Sequence, residues 1–554
     1  MDSRQLRMPG YMLYCVLVAT LGSFTNGWTI GSPNVPGEIT HNCPNGNAHI
    51  KDPRLPDCLP MDTTLWGFAV SSFCVGALIA GFFGGSLQTK LGRKLSIRVN
   101  TIPWIIGGIL MGSAVDNAQF IIGRLIAGFS CGFGSVCIPT YIGETSTIRA
   151  RGAMGTCHQF LIVIGILLAS VIGLPTANVP WWRLNYAIVG IPAVIQFLLS
   201  FTIVESPRWL ISQNRIEEAR HALARLRGKR ANIEGEFYEI VEAQLGTAAA
   251  SSVVHNSSAA AMTTKQNNGG ITQGAQREHD EEDALHPGGL NDVDGVSPTS
   301  EEMTEHVTHQ EALNIFQVFK DPLIRHITCL VLFLHFTQQW IGMNAVIFYS
   351  TIIFNEAFDQ SMSQYMTIAT MGVNFVATLF SVLLIDRMGR RPLLLLAEFG
   401  CTIFSMLLVI GYRFNIPALL VVSVFLYVAS FAIGIGPIPW MITSELSPTY
   451  ANSSMSGLAT AMNWSMNFVI GLVFPLIFQR IAGYTFCIFI GVGIVAMIVT
   501  YTLLPETKNR SIETIFRNLN KSKRSHLAPQ HLGTGPQIEE PKRDPVTQEL
   551  EHGS

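Results

Sequence analysis

Charge is what this sequence has little of. Lys, Arg, Asp and Glu make up only 13% of its 554 residues, about half the roughly 25% usual in a soluble domain. That deficit argues against a soluble globular chain and points to a bilayer. The formal net charge is −2, so there is no basic excess with which to hold a nucleic acid. Metal-ligand spacing is also missing. The ten cysteines form no CxxC and no His/Cys cluster, so neither a metal nor a cofactor is expected. Nothing resembles a nucleophile–base pair or a phosphate loop, and an enzyme is not expected. The first apolar run, 10–32, lacks a small-residue cleavage site and reads as a retained helix.

What is present is apolar sequence in long pieces. Runs at 10–32, 64–87, 99–115, 119–141, 155–175, 185–204, 327–349, 365–385, 393–412, 417–441, 455–478 and 484–504 each approach the roughly 20 residues that cross a bilayer. Basic residues set the orientation. Lys90, Arg93, Lys94, Arg98, Arg149, Arg151, Arg208, Arg387, Arg390, Arg391, Lys508 and Arg510 fall on one side, against few on the other. Both termini are therefore expected in the cytosol. Cys43 and Cys58 share the predicted outer loop 37–62, on the side where a disulfide persists, and form the candidate bridge. Gly22, Gly27, Gly31 and Pro33 predict an interrupted first helix.

The most informative stretch is FLHFTQQWIGMNAVIFYS, 333–350. Gln338, Gln339 and Asn344 lie within an apolar run, where no water is at hand, so they must face protein or a polar cavity. On a helix they fall on nearly one side. One reading is hydrogen-bonding glue between helices. The other is a site for a neutral, hydroxyl-rich ligand, since amides offer donors and acceptors without charge.

Three motifs recur at matched places. GRK at 92–94 pairs with DRMGRR, 386–391; PTYIGETSTIRARG, 139–152, with PWMITSELSPTY, 439–450; VESPRWL, 204–210, with LPETKNRS, 504–511. Two homologous six-helix halves follow, an architecture for alternating access around a midplane site. With QQWIGMNAVIFYS, GPIPW and NWSMNF added, the chain resembles the sugar porters of the major facilitator superfamily, and among them animal-type facilitative glucose transporters, over about 10–228 and 310–518. The resemblance implies an all-α membrane protein of twelve transmembrane helices in two six-helix halves, with a cytosolic helical bundle and a monomeric transport unit in the plasma membrane. The halves are placed at 1–204 and 327–518, with a cytosolic linker at 205–326 and a tail at 519–554. Segments 233–245 and 300–319 read as amphipathic helices. The insert 247–299 and the tail are too polar to repay their ordering entropy and read as disordered. A sequon at Asn256 would be cytosolic and unused.

The resemblance also implies a monosaccharide site. It carries hydrogen bonding onto Gln338, Gln339, Asn344, Asn374, Trp440, Asn463, Trp464, Asn467 and Gln159, with Phe24 and Ile162 as an apolar wall. Indole faces suit the C–H face of a pyranose. Gly434, Gly436, Pro437 and Pro439 predict a broken tenth helix. At the cytosolic edge Arg93, Glu144, Arg151, Arg208, Arg390, Arg391, Glu445 and Glu506 are expected to form gating ion-pair networks. Two departures stand out: Asn452 replaces an arginine of that network, and Thr89 replaces the acid or amide usual before GRK.

Proton-coupled sugar porters place an aspartate where Thr29 stands here, near an arginine matched by Arg124. No acid is expected deep in a run, so facilitated diffusion is the first reading. Proton coupling through His158 or His335 is the alternative. His335-Phe336-Thr337 replaces the QLS of glucose-preferring relatives and Ala432 an acid of the tenth helix. Glucose comes first, with fructose, another hexose, a pentose or a polyol behind it. A non-transporting sugar sensor is a third reading.

Overall fold

In a bilayer each backbone N–H and C=O must be satisfied within its own segment, and every apolar run is accordingly helical. The computed structural model describes residues 8–43, 54–147, 150–228, 231–245, 316–447 and 451–508. The first half comprises α1 (Gly10–Gly31), α2 (Gly37–His41), α3 (Thr63–Leu91), α4 (Arg93–Gly112), α5 (Asn117–Thr145) and α6 (Arg151–Thr176). Its last crossing is shared by α7 (Trp182–Ala187) and α8 (Gly190–Leu199). Three short helices follow: α9 (Pro207–Ser212), α10 (Ile216–Arg227) and α11 (Glu234–Leu245). The second half runs α12 (Pro322–Trp340), α13 (Met343–Asn355), α14 (Gln360–Met388), α15 (Arg390–Arg413), α16 (Pro417–Ile433), α17 (Ile438–Leu446), α18 (Asn452–Ile481) and α19 (Phe486–Leu503). Eleven stretches are long and apolar enough to cross a membrane; the last, Ser454–Leu503, is 50 residues long and holds both α18 and α19. The twelve crossings expected from hydropathy are thus present.

One expectation is corrected at the start of the chain. Gly22, Gly27 and Gly31 do not interrupt the first helix, which is continuous to Gly31 and ends in a turn. Their role is contact. A Cβ on Gly27 would lie 1.9 Å from the carbonyl oxygen of Ile162, and one on Gly165 2.2 Å from that of Phe24. Here α1 and α6 touch backbone to backbone, as small residues allow.

The halves meet where α18 packs on α3 and α14 on α6. Among the linker helices, the side chain of Arg227, at the end of α10, pairs with Glu236 at 2.6 Å and donates to the carbonyl of Thr145 at 2.8 Å. That contact ties the start of the linker to the end of α5. The insert 247–299, the sequon at Asn256, the tail 519–554 and most of segment 300–319 lie outside the described residues.

Candidate functional site

Two broken helices build the site. Gly342 lies between α12 and α13 at φ 101°, a left-handed conformation that glycine adopts without cost. Hydropathy had suggested one continuous helix over 327–349. Phe489 fills the notch, since a Cβ on Gly342 would lie 2.4 Å from its ring. The second break, 434–437, separates α16 from α17 as the Gly/Pro pattern predicts. It frees carbonyls that need donors. The Gln338 amide supplies them, its Nε2 donating to the carbonyls of Ile435 at 3.0 Å and Gly436 at 2.6 Å.

From Gln338 the polar contacts continue. Asn463 Nδ2 donates to Gln338 Oε1 at 2.6 Å and lies 3.3 Å from His335 Nδ1. His335 Nε2 is 3.0 Å from Thr443 Oγ1, which donates to the carbonyl of Pro439 at 2.8 Å. The imidazole meets the Trp440 indole edge to face at 4.7 Å. Separately, Asn344 Nδ2 donates to Gln339 Oε1. In this state, then, the whole Gln338 amide is engaged by protein, whereas among the described residues Gln339 is bonded only through its Oε1.

Other groups remain open. Trp464 and Asn467 are buried on α18, one turn apart, and among the described residues neither Trp464 Nε1 nor Asn467 Oδ1 has a partner. A buried donor or acceptor left so costs about 1–3 kcal/mol. Asn374 on α14 and half-buried Gln159 on α6 make no side-chain hydrogen bond to a described residue. Phe24 and Ile162 lie half-buried on α1 and α6. Trp464 meets Phe73 of the other half at 5.8 Å, with Phe348 6.1 Å from the same ring. A groove of about 910 Å³ lined by Ala369, Val376, Phe380, Leu383, Arg387 and Ile433 includes none of these predicted ligands.

At the end bearing the GRK and DRMGRR turns, Arg93 pairs with Glu144 at 2.8 Å and Arg390 with Glu445 at 2.9 Å. Each pair stays within one half. Arg208 makes no ion pair among the described residues, and the Arg151 side chain lies outside them. Asn452, in place of the expected arginine, accepts from Ser456 at 3.1 Å, and Thr89 donates to Gly85 of its own helix. Glu506 accepts from the backbone N–H groups of Arg390 and Arg391 at 3.1 and 3.0 Å. Glu205 does the same for Arg93 and Lys94 at 2.8 and 3.0 Å. Reading ESPR and PETK as repeats was the signal that could have picked out Glu205.

At the opposite end Asn34, which the sequence did not single out, bridges the halves. Its Nδ2 donates to Ile347 O at 2.6 Å and Ser350 Oγ at 2.8 Å, while its Oδ1 accepts from Thr351 Oγ1 at 3.2 Å.

Two ionisable residues buried inside the spans, Arg124 and Glu398, bear on coupling. Arg124 is fully buried, donates to the carbonyls of Thr29 at 2.9 Å and Val70 at 2.5 Å, and stands over the Phe73 ring at 4.8 Å. The Thr29 hydroxyl bonds Thr25 of its own helix. Glu398 is the correction to the expectation that no acid lies deep. It is buried in α15 and accepts from Thr500 at 2.9 Å, leaving Oε2 without a partner among the described residues. Of the two histidines considered for coupling, His158 meets Ser23 at 2.7 Å. The structure also pairs Cys43 with Cys58, Cα atoms 5.9 Å apart.

Comparison with known proteins agrees with this architecture. A family model described as sugar (and other) transporter matches residues 15–268 and 275–519. The rat solute carrier family 2, facilitated glucose transporter member 2, is 30% identical over 95% of this chain and 97% of its own. The human member 4 is 31% identical over 92% and 91%. Among solved structures, the proton:xylose symporter XylE bound to 6-bromo-6-deoxy-D-glucose superposes with a TM-score of 0.66. It is 22% identical, covering 92% of this chain and 99% of its own, and that likeness concerns the fold.

Proposed function

The chain belongs to the family of sugar (and other) transporters, and on that premise we propose that it carries a monosaccharide, glucose or another hexose first, by alternating-access facilitated diffusion. The observation that carries the reading is the set of polar groups left open between the halves. Among the described residues Trp464 Nε1 is an unpartnered buried donor and Asn467 Oδ1 an unpartnered buried acceptor, and the side chains of Asn374 and Gln159 make no hydrogen bond. Sugar hydroxyls both donate and accept, so they satisfy such groups without charge compensation. A site of this kind rejects analogues that lack the matching hydroxyl. The facilitated glucose transporters among the relatives support the substrate class.

Uniport is supported by Arg124. Two backbone carbonyls and an aromatic face hold it, with threonine at the position where coupled porters keep an acid. A proton-driven cycle needs a titratable group linked to the gate. Glu398 motivates a second reading, in which that group lies in α15 instead. The two halves are assigned to 1–204 and 327–518, the working unit to a monomer, and the location to the plasma membrane with both termini cytosolic.

The test is zero-trans uptake of labelled glucose, then other hexoses, into proteoliposomes with and without an imposed proton gradient. Equilibration indifferent to the gradient is expected, with Gln338→Ala abolishing it. Accumulation above equilibrium that also vanishes in Glu398→Gln establishes the coupled reading. Saturable binding without flux identifies a sensor.

A further inference from the structure

The contacts around His335 have a direction that backbone chemistry dictates. Carbonyl oxygens only accept, so both ends are fixed. At one end Ile435 and Gly436 receive the two N–H groups of the Gln338 amide, so Gln338 Oε1 is the atom left to accept from Asn463. At the other end Pro439 receives the Thr443 hydroxyl proton, so Thr443 Oγ1 can only accept from the imidazole. His335 Nε2 must therefore carry a hydrogen, and Nδ1, facing the second N–H of Asn463 at 3.3 Å, must be a bare lone pair. One proton on Nδ1 would set donor against donor.

We propose that His335 is a positioning residue of the sugar site, a neutral Nε2–H imidazole that completes a chain of hydrogen bonds, donated outward from Asn463 in both directions, between the break in the tenth crossing and α17. The proposal rests on the sugar-site reading above. The chain runs from the carbonyls before α17, through Gln338 on α12, Asn463 on α18 and His335, to Thr443 and Pro439 within α17. Asn463 is thereby committed as a donor on both hydrogens, so its Oδ1 is the atom it offers a ligand. The site presents an acceptor there, and the matching substrate group is a hydroxyl acting as donor. The Trp440 indole, held edge to face against the ring, is fixed by the same histidine.

The chain makes specific demands on position 335. Gln offers one acceptor and a donor amide, and can reproduce both links. Leu offers neither. For hexose uptake in proteoliposomes, His335→Leu is expected to raise KM about tenfold or more, the consequence of freeing one buried, hydrogen-bonded partner. His335→Gln should recover most of that loss, with Vmax within about twofold of wild type. Thr443→Val, which removes the acceptor for Nε2–H while preserving volume, should move KM the same way. It answers the question if His335→Leu does not fold.

A measurement without sugar separates this inference from the transport reading. Nitrogen-15 spectra of histidine-labelled protein, with the His335 signal assigned by its absence in His335→Gln, should show a neutral ring protonated at Nε2. An Nδ1–H tautomer or an imidazolium at neutral pH overturns the chain. So does a wild-type KM in both His335→Leu and Thr443→Val, or equal loss in His335→Leu and His335→Gln. If the wild-type protein moves no hexose, the sugar reading fails while the spectrum still decides the tautomer.

Discussion

The two halves repeat one construction at the turn between their second and third crossings and diverge elsewhere. In each, a glycine at positive φ, Gly92 at 84° and Gly389 at 94°, ends a long helix and opens the next. In each, a carboxylate from beyond the last crossing of that half, Glu205 or Glu506, accepts the first backbone N–H groups of the new helix. This cradles a helix N-terminus, where orphan donors and the dipole favour an anion. A Cβ on either glycine would strike that carboxylate, at 2.7 Å in the first half and 2.9 Å in the second. The divergence lies deeper. In the first half Gly27 and Gly165 hold α1 and α6 in backbone contact, whereas in the second half glycines mark the breaks of α12 from α13 and α16 from α17. The anchor is common to the two halves, and the use made of these glycines is not.

The sharpest way to break this comparison is to load both kinds of glycine. Gly27→Ala puts a Cβ 1.9 Å from a backbone oxygen that cannot yield. Overpacking typically costs about 1–3 kcal/mol, occasionally more, so melting of the purified protein should fall steeply and uptake should be lost. Gly436→Ala has 3.5 Å to its nearest neighbour and should leave the melting point nearly unchanged while slowing Vmax several-fold. Equal loss of stability in both variants would refute the division of labour.

The carboxylates give a smaller effect with a sign. Burial pushes Glu506 up, but the N–H groups of Lys508, Arg390, Arg391 and Thr507 outweigh it and hold the carboxyl below its ordinary range. Its contribution is present above the unfolded value and is lost as pH falls through the folded one. Burial of Glu205 prevails over its own N–H donors, and that carboxyl is raised. Its contribution is present below the unfolded value and is lost as pH rises through the folded one. Glu506→Gln should therefore destabilise at neutral pH by about 1 kcal/mol or less, since solvent screens a half-exposed carboxylate, a deficit that fades in acid. Glu205→Gln should cost less at neutral pH, and least on the alkaline side. Thermal melts across pH would show it; identical profiles would erase the contrast.

Smallest is the latch. Asn452→Arg supplies the missing cation at the edge between halves. Exposed pairs contribute about 0.2–1 kcal/mol, so Vmax should change by about fivefold at most.

Much of this was legible in the chain because a bilayer imposes one demand on every crossing, and apolar length records it. The repeats marked both turns and one of the two anchors, Glu506 but not Glu205, and Pro437 with Pro439 announced the tenth break. The seventh break was not visible, because a glycine in an apolar run does not reveal its φ; Phe489, far off in sequence, occupies the notch at Gly342. Gly27 was misread as a breaker for the same reason, its partner being Ile162. Glu398 escaped notice since one carboxyl hardly lowers the hydropathy of α15. Which amide bonds which carbonyl around Gln338 depends on break geometry, and no motif encodes that.

Asn34 offers a last consequence. At the end opposite the anchors the Asn34 amide joins the halves through four hydrogen bonds to Ile347, Ser350 and Thr351, alongside an exposed contact from Gln479 to Thr63. Each such bond is worth about 0.5–1.5 kcal/mol net, and every 1.4 kcal/mol is a factor of ten in population. If that strap were the whole barrier, roughly one molecule in thirty to one in twenty thousand would stand open there at any moment. A bound ligand needs only a few hydrogen bonds of its own to offset a strap of that size, so the strap favours closure without fixing it.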